Sequence, residues 1–577
     1  MKFEFLGRVS RAAAIGAMLL SSASCVDINE TLGENFIPTD QIWDVYTPEA
    51  TALEDLMLHM SDSLSGYSTT RFTFGAINDG VLGTSVKSTS FTLVPIHTEL
   101  DFGEDTEVIQ FHFTAARDTL SMYKDNQLKM LQNVYVSELK TALDTNVVYA
   151  GSFSQYTESG RLNREKYLDP DNLITAGIPV YNGGDSLSFD FSKEWSADFI
   201  ERLKTAAMDS IDSYTKTLPG IMITTDTPVG EGGRINMFNL AMASDSYGYI
   251  TGNYAELKFR ARYEGSDEKV DTSFVFFFGP TEFITDESTD YPVQLALNMS
   301  DHETFGRFGT GIKATDYLYV EGGSGVKPVV KAEEIKTIVE NEIAKTGREP
   351  KDVVINKATI IMPYNIGGDY EKLEKYPMIL SPTVRLKNSK TGDVTFAGLT
   401  DSSIESENQG NINRSLEMYC PDISHHVQEI LKLDRSAEDY KEKIENYDIW
   451  FLIMHEEITE SSNSGYNDYY NNLLYNSYYN NMMYDPYGYG YGYGGYGGYG
   501  YGGYGYGGYG GYGYNNYYNY YMMAAMASSA NSNTTSSSIE LDRDRFYNGV
   551  LCGPEYGNTL EEKPRLKITF SVPKAEQ

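Results

Sequence analysis

Leu257-Lys258-Phe259-Arg260-Ala261-Arg262-Tyr263 alternates apolar and cationic side chains residue by residue. Successive side chains of an extended backbone point to opposite faces, so Leu257, Phe259 and Ala261 share one face and the three cations the other. A half-buried antiparallel strand is the direct reading. Ser186-Leu187-Ser188-Phe189-Asp190-Phe191 repeats the pattern, with Leu187, Phe189 and Phe191 on one side. Phe274-Val275-Phe276-Phe277-Phe278 is an unbroken apolar run that stops at Gly279-Pro280, which suits a buried strand. Upstream, Ser68-Thr69-Thr70-Arg71-Phe72-Thr73-Phe74 is extended in character and leads into the turn formers Gly75, Asn78-Asp79-Gly80 and Gly83. Ser90-Phe91-Thr92-Leu93-Val94-Pro95 has strand composition.

The second half replays the first. Phe91 to Pro95 finds an echo in Ala358-Thr359-Ile360-Ile361-Met362-Pro363. Ser186 to Phe191, followed by a helical stretch from Asp198 to Lys204, has its counterpart in Ser415 to Cys420, followed by His426 to Lys432. Leu257 to Tyr263 matches Leu566-Lys567-Ile568-Thr569-Phe570-Ser571-Val572. Strands with one apolar face must bury it against a second sheet. The predicted fold is therefore mainly β: two tandem jelly-roll-like β-sandwiches at 46–285 and 317–577, each with a minor helix, joined by a linker at 286–316. Lys331 to Gly347 also reads as a helix, with Ile335, Ile338, Val339 and Ile343 at spacings of three and four and a stop at Gly347 and Pro350.

A low-complexity insertion at 461–538 interrupts the second sandwich. Every residue from Tyr487 to Tyr514 is Tyr or Gly. Such a segment lacks aliphatic side chains to bury and predicts a long loop between strands. Tyr487, Tyr489, Tyr491, Tyr493, Tyr496 and Tyr499 form a candidate stacking tract for sugars or partners, each ring offering an aromatic face and a hydroxyl. The plainer reading is an expansion tolerated because loops lengthen cheaply.

At the N-terminus, Lys2, Arg8 and Arg11 precede the apolar stretch Ala12 to Leu20, which is too short for a permanent span. Small residues then lead to Cys25 in Leu20-Ser21-Ser22-Ala23-Ser24-Cys25, the pattern that precedes lipid attachment, with Ser22 standing where Leu is preferred. The reading is a lipoprotein signal peptide over 1–24, then a lipidated Cys25 and tether over 25–45. An ordinary secretory signal is the competing interpretation. Acyl chains hold a protein by burying methylenes at ~0.8 kcal/mol each, so two or three chains anchor it stably. No other apolar run in the 577 residues approaches membrane length.

Net charge is -35, which argues against nucleic acid as a partner, because phosphate binding needs clustered Lys and Arg. Of the three cysteines, Cys420 and Cys552 remain after Cys25; in an oxidising envelope they could pair, or each could serve as a small core residue. Motif-like strings carry no chemistry. Gly492, Gly494 and Gly497 neither follow a strand nor open a helix, and His455-Glu456-Glu457 lacks a second His four residues on. His425 and His426, adjacent at a helix start, diverge by about 100 degrees and suit surface or capping roles. Asn78-Asp79-Gly80 and Asp169-Pro170-Asp171-Asn172 read as turns, not Ca²⁺ loops. No metal or cofactor is expected, and with 81 acids no carboxylate pair stands out.

Several of these segments together resemble a family of Bacteroidota lipoproteins catalogued as domain of unknown function 4270. The resemblance rests on Cys25 with its acidic follow-on, the Gly75 to Gly83 region, Pro219-Gly220-Ile221-Met222-Ile223 and Leu318-Tyr319-Val320-Glu321-Gly322 with Gly325-Val326. Ile355-Asn356-Lys357-Ala358 and Lys563-Pro564-Arg565-Leu566-Lys567-Ile568 complete it, and the Tyr and Gly tract departs from the family pattern. It implies a cell-envelope lipoprotein and supplies no catalytic site. The expected function is a non-catalytic outer-membrane lipoprotein, on the periplasmic or cell-surface face, that binds an envelope protein or glycan or acts as a scaffold. A surface polysaccharide hydrolase with unassigned carboxylates is the alternative.

Overall fold

The structure, a computed structural model, describes residues 43–118, 130–142, 168–302, 311–460 and 535–574, with breaks at 62–63, 65, 80–82, 97, 241, 245–249, 266, 281, 285–292, 324, 370–372, 374–375, 388–393, 404–407 and 543–547. Antiparallel strands dominate, and five helices occur among the described residues. Two hydrophobic cores organise the chain, one built on Phe72 to Ala296 and the other on Leu53 to Leu58 together with Ala314 to Val572.

In the first unit, one sheet runs Ser186–Asp190, Glu104–Ala116, Tyr254–Arg262, Lys269–Phe278, Leu93–Pro95. The facing sheet runs Leu168–Leu173, Tyr135–Leu139, Ile221–Thr224, Gly83–Phe91, Ala296–His302, Tyr67–Ser68, and Arg71–Asp79 joins Gly83–Phe91 to Gly232–Asn239. Aromatic rings fill the space between the two sheets. Phe91 lies 4.8 Å from Phe278, and Phe113 lies 4.8 Å from Phe278 and 4.7 Å from Phe189, within the range of favourable ring contacts. The expected strand Ser90 to Pro95 is broken at Thr92. Phe91 pairs with Ile221 in one sheet and Leu93 with Phe278 in the other, so the chain turns the corner of the sandwich there. Gly75 is no turn residue: it lies within Arg71–Asp79 at φ +146, where a Cβ would meet the Arg234 carbonyl oxygen at 2.2 Å.

The second unit has the same pairing scheme. Its first sheet runs Met418–Tyr419, Val354–Pro363, Arg565–Pro573, Trp43–Tyr46, in the places held in the first unit by Ser186–Asp190, Glu104–Ala116, Tyr254–Arg262 and Lys269–Phe278. Its second sheet runs Val394–Gly398, Ile379–Lys387, Ile449–Glu460, Val326–Val330, Leu56–Met60, Ile312–Lys313, in the order of the facing sheet, with Thr535–Leu541 added as a further partner of Ile449–Glu460. Tyr317–Glu321 pairs with Asn548–Cys552 as Arg71–Asp79 pairs with Gly232–Asn239. Even the helix pairs agree: Lys193–Leu203 with Ile211–Thr217, and Ser424–Leu431 with Tyr440–Glu445. One helix, Ala332–Ala344, has no counterpart.

Strand order along the chain is also the same, with one displacement: the last two places in the second unit are filled by the N-terminal strands Trp43–Tyr46 and Leu56–Met60. Three expectations shift accordingly. The boundary at residue 46 cuts through strands that belong to the second core. The linker expected at 286–316 contains Ala296–His302, which pairs with Gly83–Phe91, and Ile312–Lys313, which pairs with Leu56–Met60. The echo proposed for Phe91 to Pro95 belongs to Glu104–Ala116, because that is the strand paired as Val354–Pro363 is. Asp169 to Asn172 forms part of the edge strand Leu168–Leu173 in place of a turn.

Leu56 is fully buried against the second core. Leu56→Ala is expected to cost about 2–5 kcal/mol, through lost burial plus an unfilled cavity. Hydrogen-exchange mass spectrometry should then find faster exchange in Val326–Val330 and Arg565–Pro573 and unchanged exchange in Tyr254–Arg262. Faster exchange confined to the first unit would contradict the assignment of this strand.

Candidate functional site

The outward face of the first unit's five-stranded sheet carries rows of exposed polar side chains. Strand alternation sends Leu257, Phe259 and Ala261 inward and leaves Glu256, Lys258 and Arg260 outside. Register then aligns His112 between Asp190 and Glu256, and Lys258 between Gln110 and Ser273. The Asp190 carboxylate lies 2.7 Å from His112 Nδ1 and accepts from Gln110 Nε2 at 2.8 Å. Lys258 Nζ lies 3.1 Å from Glu256, and the Arg260 guanidinium grips both oxygens of Asp271 at 2.6 and 3.1 Å. That fork lowers the pKa of Asp271 and raises that of Arg260, the side-chain hydrogen bond being the main cause in both. Thr114 and Ser188 hydroxyls sit 3.3 Å apart at one end. Donors and acceptors of both signs thus stand in fixed rows, an arrangement suited to hydrogen-bonding a polar partner.

A second feature, buried, lies where the two units meet. Lys87 of the first unit and Glu321, Lys327 and Asp542 of the second are all within reach of one another's charge, and each is nearly inaccessible to water. Burial pushes Lys327 down to about 7 while Glu321 acts in the opposite sense, and burial likewise lowers Lys87. Lys327 Nζ donates to the carbonyls of Glu321, of Gly323 at 2.9 Å and of Gly325 at 3.2 Å. Gly325 is required here, since a Cβ would meet the Glu321 side chain at 2.5 Å. The sequence reading missed this cluster. Its signal was one lysine inside the otherwise apolar strand Val326–Val330.

The residues singled out from sequence are scattered. Cys25 and Tyr487, Tyr489, Tyr491, Tyr493, Tyr496 and Tyr499 lie outside the described residues, although the strands Ile449–Glu460 and Thr535–Leu541 that bracket the tract form an antiparallel pair. Cys420 and Cys552 are separate free thiols. Burial raises both, Cys552 to about 12, so neither is poised as a thiolate. His425 is exposed, 3.9 Å from Glu429. His426, expected at the surface or as a cap, is instead buried, its Nε2 lying 2.8 Å from the Tyr447 carbonyl oxygen. The capping is done by Asp401, whose carboxylate accepts from the backbone N–H of His425 at 2.7 Å and of His426 at 3.1 Å. Among the described residues no three His, Cys, Asp or Glu side chains gather as a metal site, and no helix is long and apolar enough to cross a membrane.

Burial lowers His426 from 6.5 to about 4, although the Tyr447 carbonyl acts in the opposite sense. The unfolded chain therefore binds a proton that the folded chain refuses, and stability is lost as pH falls from 6.5 towards 4. The loss attributable to this ring is about 3 kcal/mol. Comparing Tm across that range, His426→Gln should show a shallower decline than the wild type, and parallel curves would refute the assignment. No protein-family model, curated protein or solved structure matches the chain.

Proposed function

We propose that the chain is a non-catalytic, lipid-anchored protein of a Gram-negative outer membrane, of the kind implied by its resemblance to the Bacteroidota lipoproteins. In this reading its first sandwich presents a binding face to an envelope protein or glycan. The observation that carries the reading is the use of the N-terminal segment. Only 17 residues separate Cys25 from Trp43, where the chain enters the second sandwich as a paired strand. A lipid on Cys25 would thus be tied to the folded body by the strands that complete it, and pulling on the anchor would load a sheet. The polar rows around His112, Asp190, Lys258 and Arg260 support the binding role, since hydrogen-bond donors and acceptors held in register favour a polar ligand.

Metabolic labelling with a fatty-acid probe should mark the wild type and leave Cys25→Ala unmarked; equal absence of label in both would remove the anchor. For the binding face, a glycan array and an envelope pull-down with the full chain should each be compared with an Asp190→Ala, Lys258→Ala double variant. Affinity for a genuine ligand should fall by at least about tenfold, the scale of losing a charged hydrogen bond. A ligand bound equally by both forms would place recognition elsewhere.

A further inference from the structure

The two sandwiches offer equivalent outer faces, and these differ in a way that points to a surface. In the first unit the face alternates in sign, with Glu107, Glu256 and Asp271 among the cations. Its counterpart in the second unit is built by Trp43–Tyr46, Arg565–Pro573 and Val354–Pro363, and the last two strands contain no acid at all. Phe570 packs inward and Tyr46 stacks on it at 5.7 Å, so alternation turns Trp43 and Val45 outward and Asp44 inward. Val45 and Val354 both pair with Ser571, one on each side, and Trp43 pairs with Pro573. The three apolar residues are 43%, 64% and 47% exposed for Trp43, Val45 and Val354, so they form one open patch. Beyond it, Lys357, Arg565 and Lys567 point to the same side. Lys357 lies 3.4 Å from Asp422 and Arg565 donates to nearby carbonyls, whereas no ion pair of Lys567 is found among the described residues.

We propose that this face of the second sandwich lies flat on the lipid surface that receives the anchor. The inference rests on the lipid-anchor reading above and adds which side of the molecule meets the bilayer. Three observations converge on a bilayer as the occupant. The patch is the part of the described fold closest along the chain to Cys25, and the 17 residues between reach at most about 60 Å, so this edge is held near the membrane. It combines an exposed tryptophan and two valines with lysines, the composition that settles into a headgroup layer with the apolar groups down and the amines at the phosphates. Lys357, Arg565 and Lys567 stand on the outward side of two strands that contain no acid, which suits anionic lipid.

Of the three tryptophans, Trp195 and Trp450 are each only 8% exposed, so Trp43 is the ring open to a membrane quencher. The full-length lipidated protein should be reconstituted into phosphatidylcholine and phosphatidylglycerol vesicles whose acyl chains carry bromine. Tryptophan emission should be quenched, the quenching should vanish in Trp43→Phe, and it should weaken in Lys567→Glu. Acylated protein that floats with the vesicles yet shows no quenching, or the same quenching in Trp43→Phe, would overturn the docking while leaving the anchor intact. Absence of any acyl label on Cys25 would overturn both. Acylated protein with this face protected only by an added glycan or envelope extract would assign the patch to a different partner and overturn the docking as well.

Discussion

Five residue pairs between Leu56–Met60 and Val326–Val330 close the second sandwich. Without them, one side of Val326–Val330 would present unpaired amides and carbonyls beside an apolar half-core, a combination that is costly in water and prone to pairing with other chains. The first unit solves the same problem with Ala296–His302, drawn from its own continuation. In the second unit the two places that follow Arg565–Pro573 in the pairing scheme are held by strands from the other end of the sequence, Trp43–Tyr46 and Leu56–Met60.

This closure ties remote parts of the sequence together. Thr47 and Thr569, 522 residues apart, approach within 3.2 Å. Such long-range pairing raises the contact order of the second sandwich, which slows folding relative to local pairing. The buried lysines at the junction belong to the same economy of structure. Burial disfavours the charged form of Lys87 and Lys327, and Glu321, Asp542 and the turn carbonyls beside them offset part of that cost.

What the sequence disclosed follows from locality. Alternation in Leu257 to Tyr263, Ser186 to Phe191 and Leu566 to Val572 depends only on neighbours, and those strands lie where the pattern puts them. The helix Ala332–Ala344 was equally legible, because Gly347 just beyond it, at φ +72, is a stop signal written in one residue. Hidden features all required distant information. Trp43–Tyr46 looks like tether until its partner at Arg565–Pro573 is known, and Thr92 looks like mid-strand until its two flanks are seen in different sheets. Met418–Tyr419 was found as the counterpart of Ser186–Asp190, within Ser415 to Cys420, but its two-residue length depends on partners outside the segment. The polar face was half readable: the outward cations were named by alternation, but the meeting of His112 with Asp190 depends on register between strands far apart in sequence.

Duplication with a shared pairing scheme separates what the fold demands from what it leaves free. Inward positions are held to apolar types in both units, as Leu257, Phe259 and Ala261 in one strand and Leu566, Ile568 and Phe570 in its counterpart all show. Outward positions obey no such constraint, because a solvent-facing side chain on a sheet changes stability by little. There the units part company: Glu256, Lys258 and Arg260 alternate in sign on the first strand, whereas Arg565, Lys567 and Thr569 keep one sign on the second. Core packing accounts for none of this difference. Two faces built on one pairing scheme therefore differ only in what their outward side chains present, an alternation of charge on Tyr254–Arg262 and cations without acids on Arg565–Pro573.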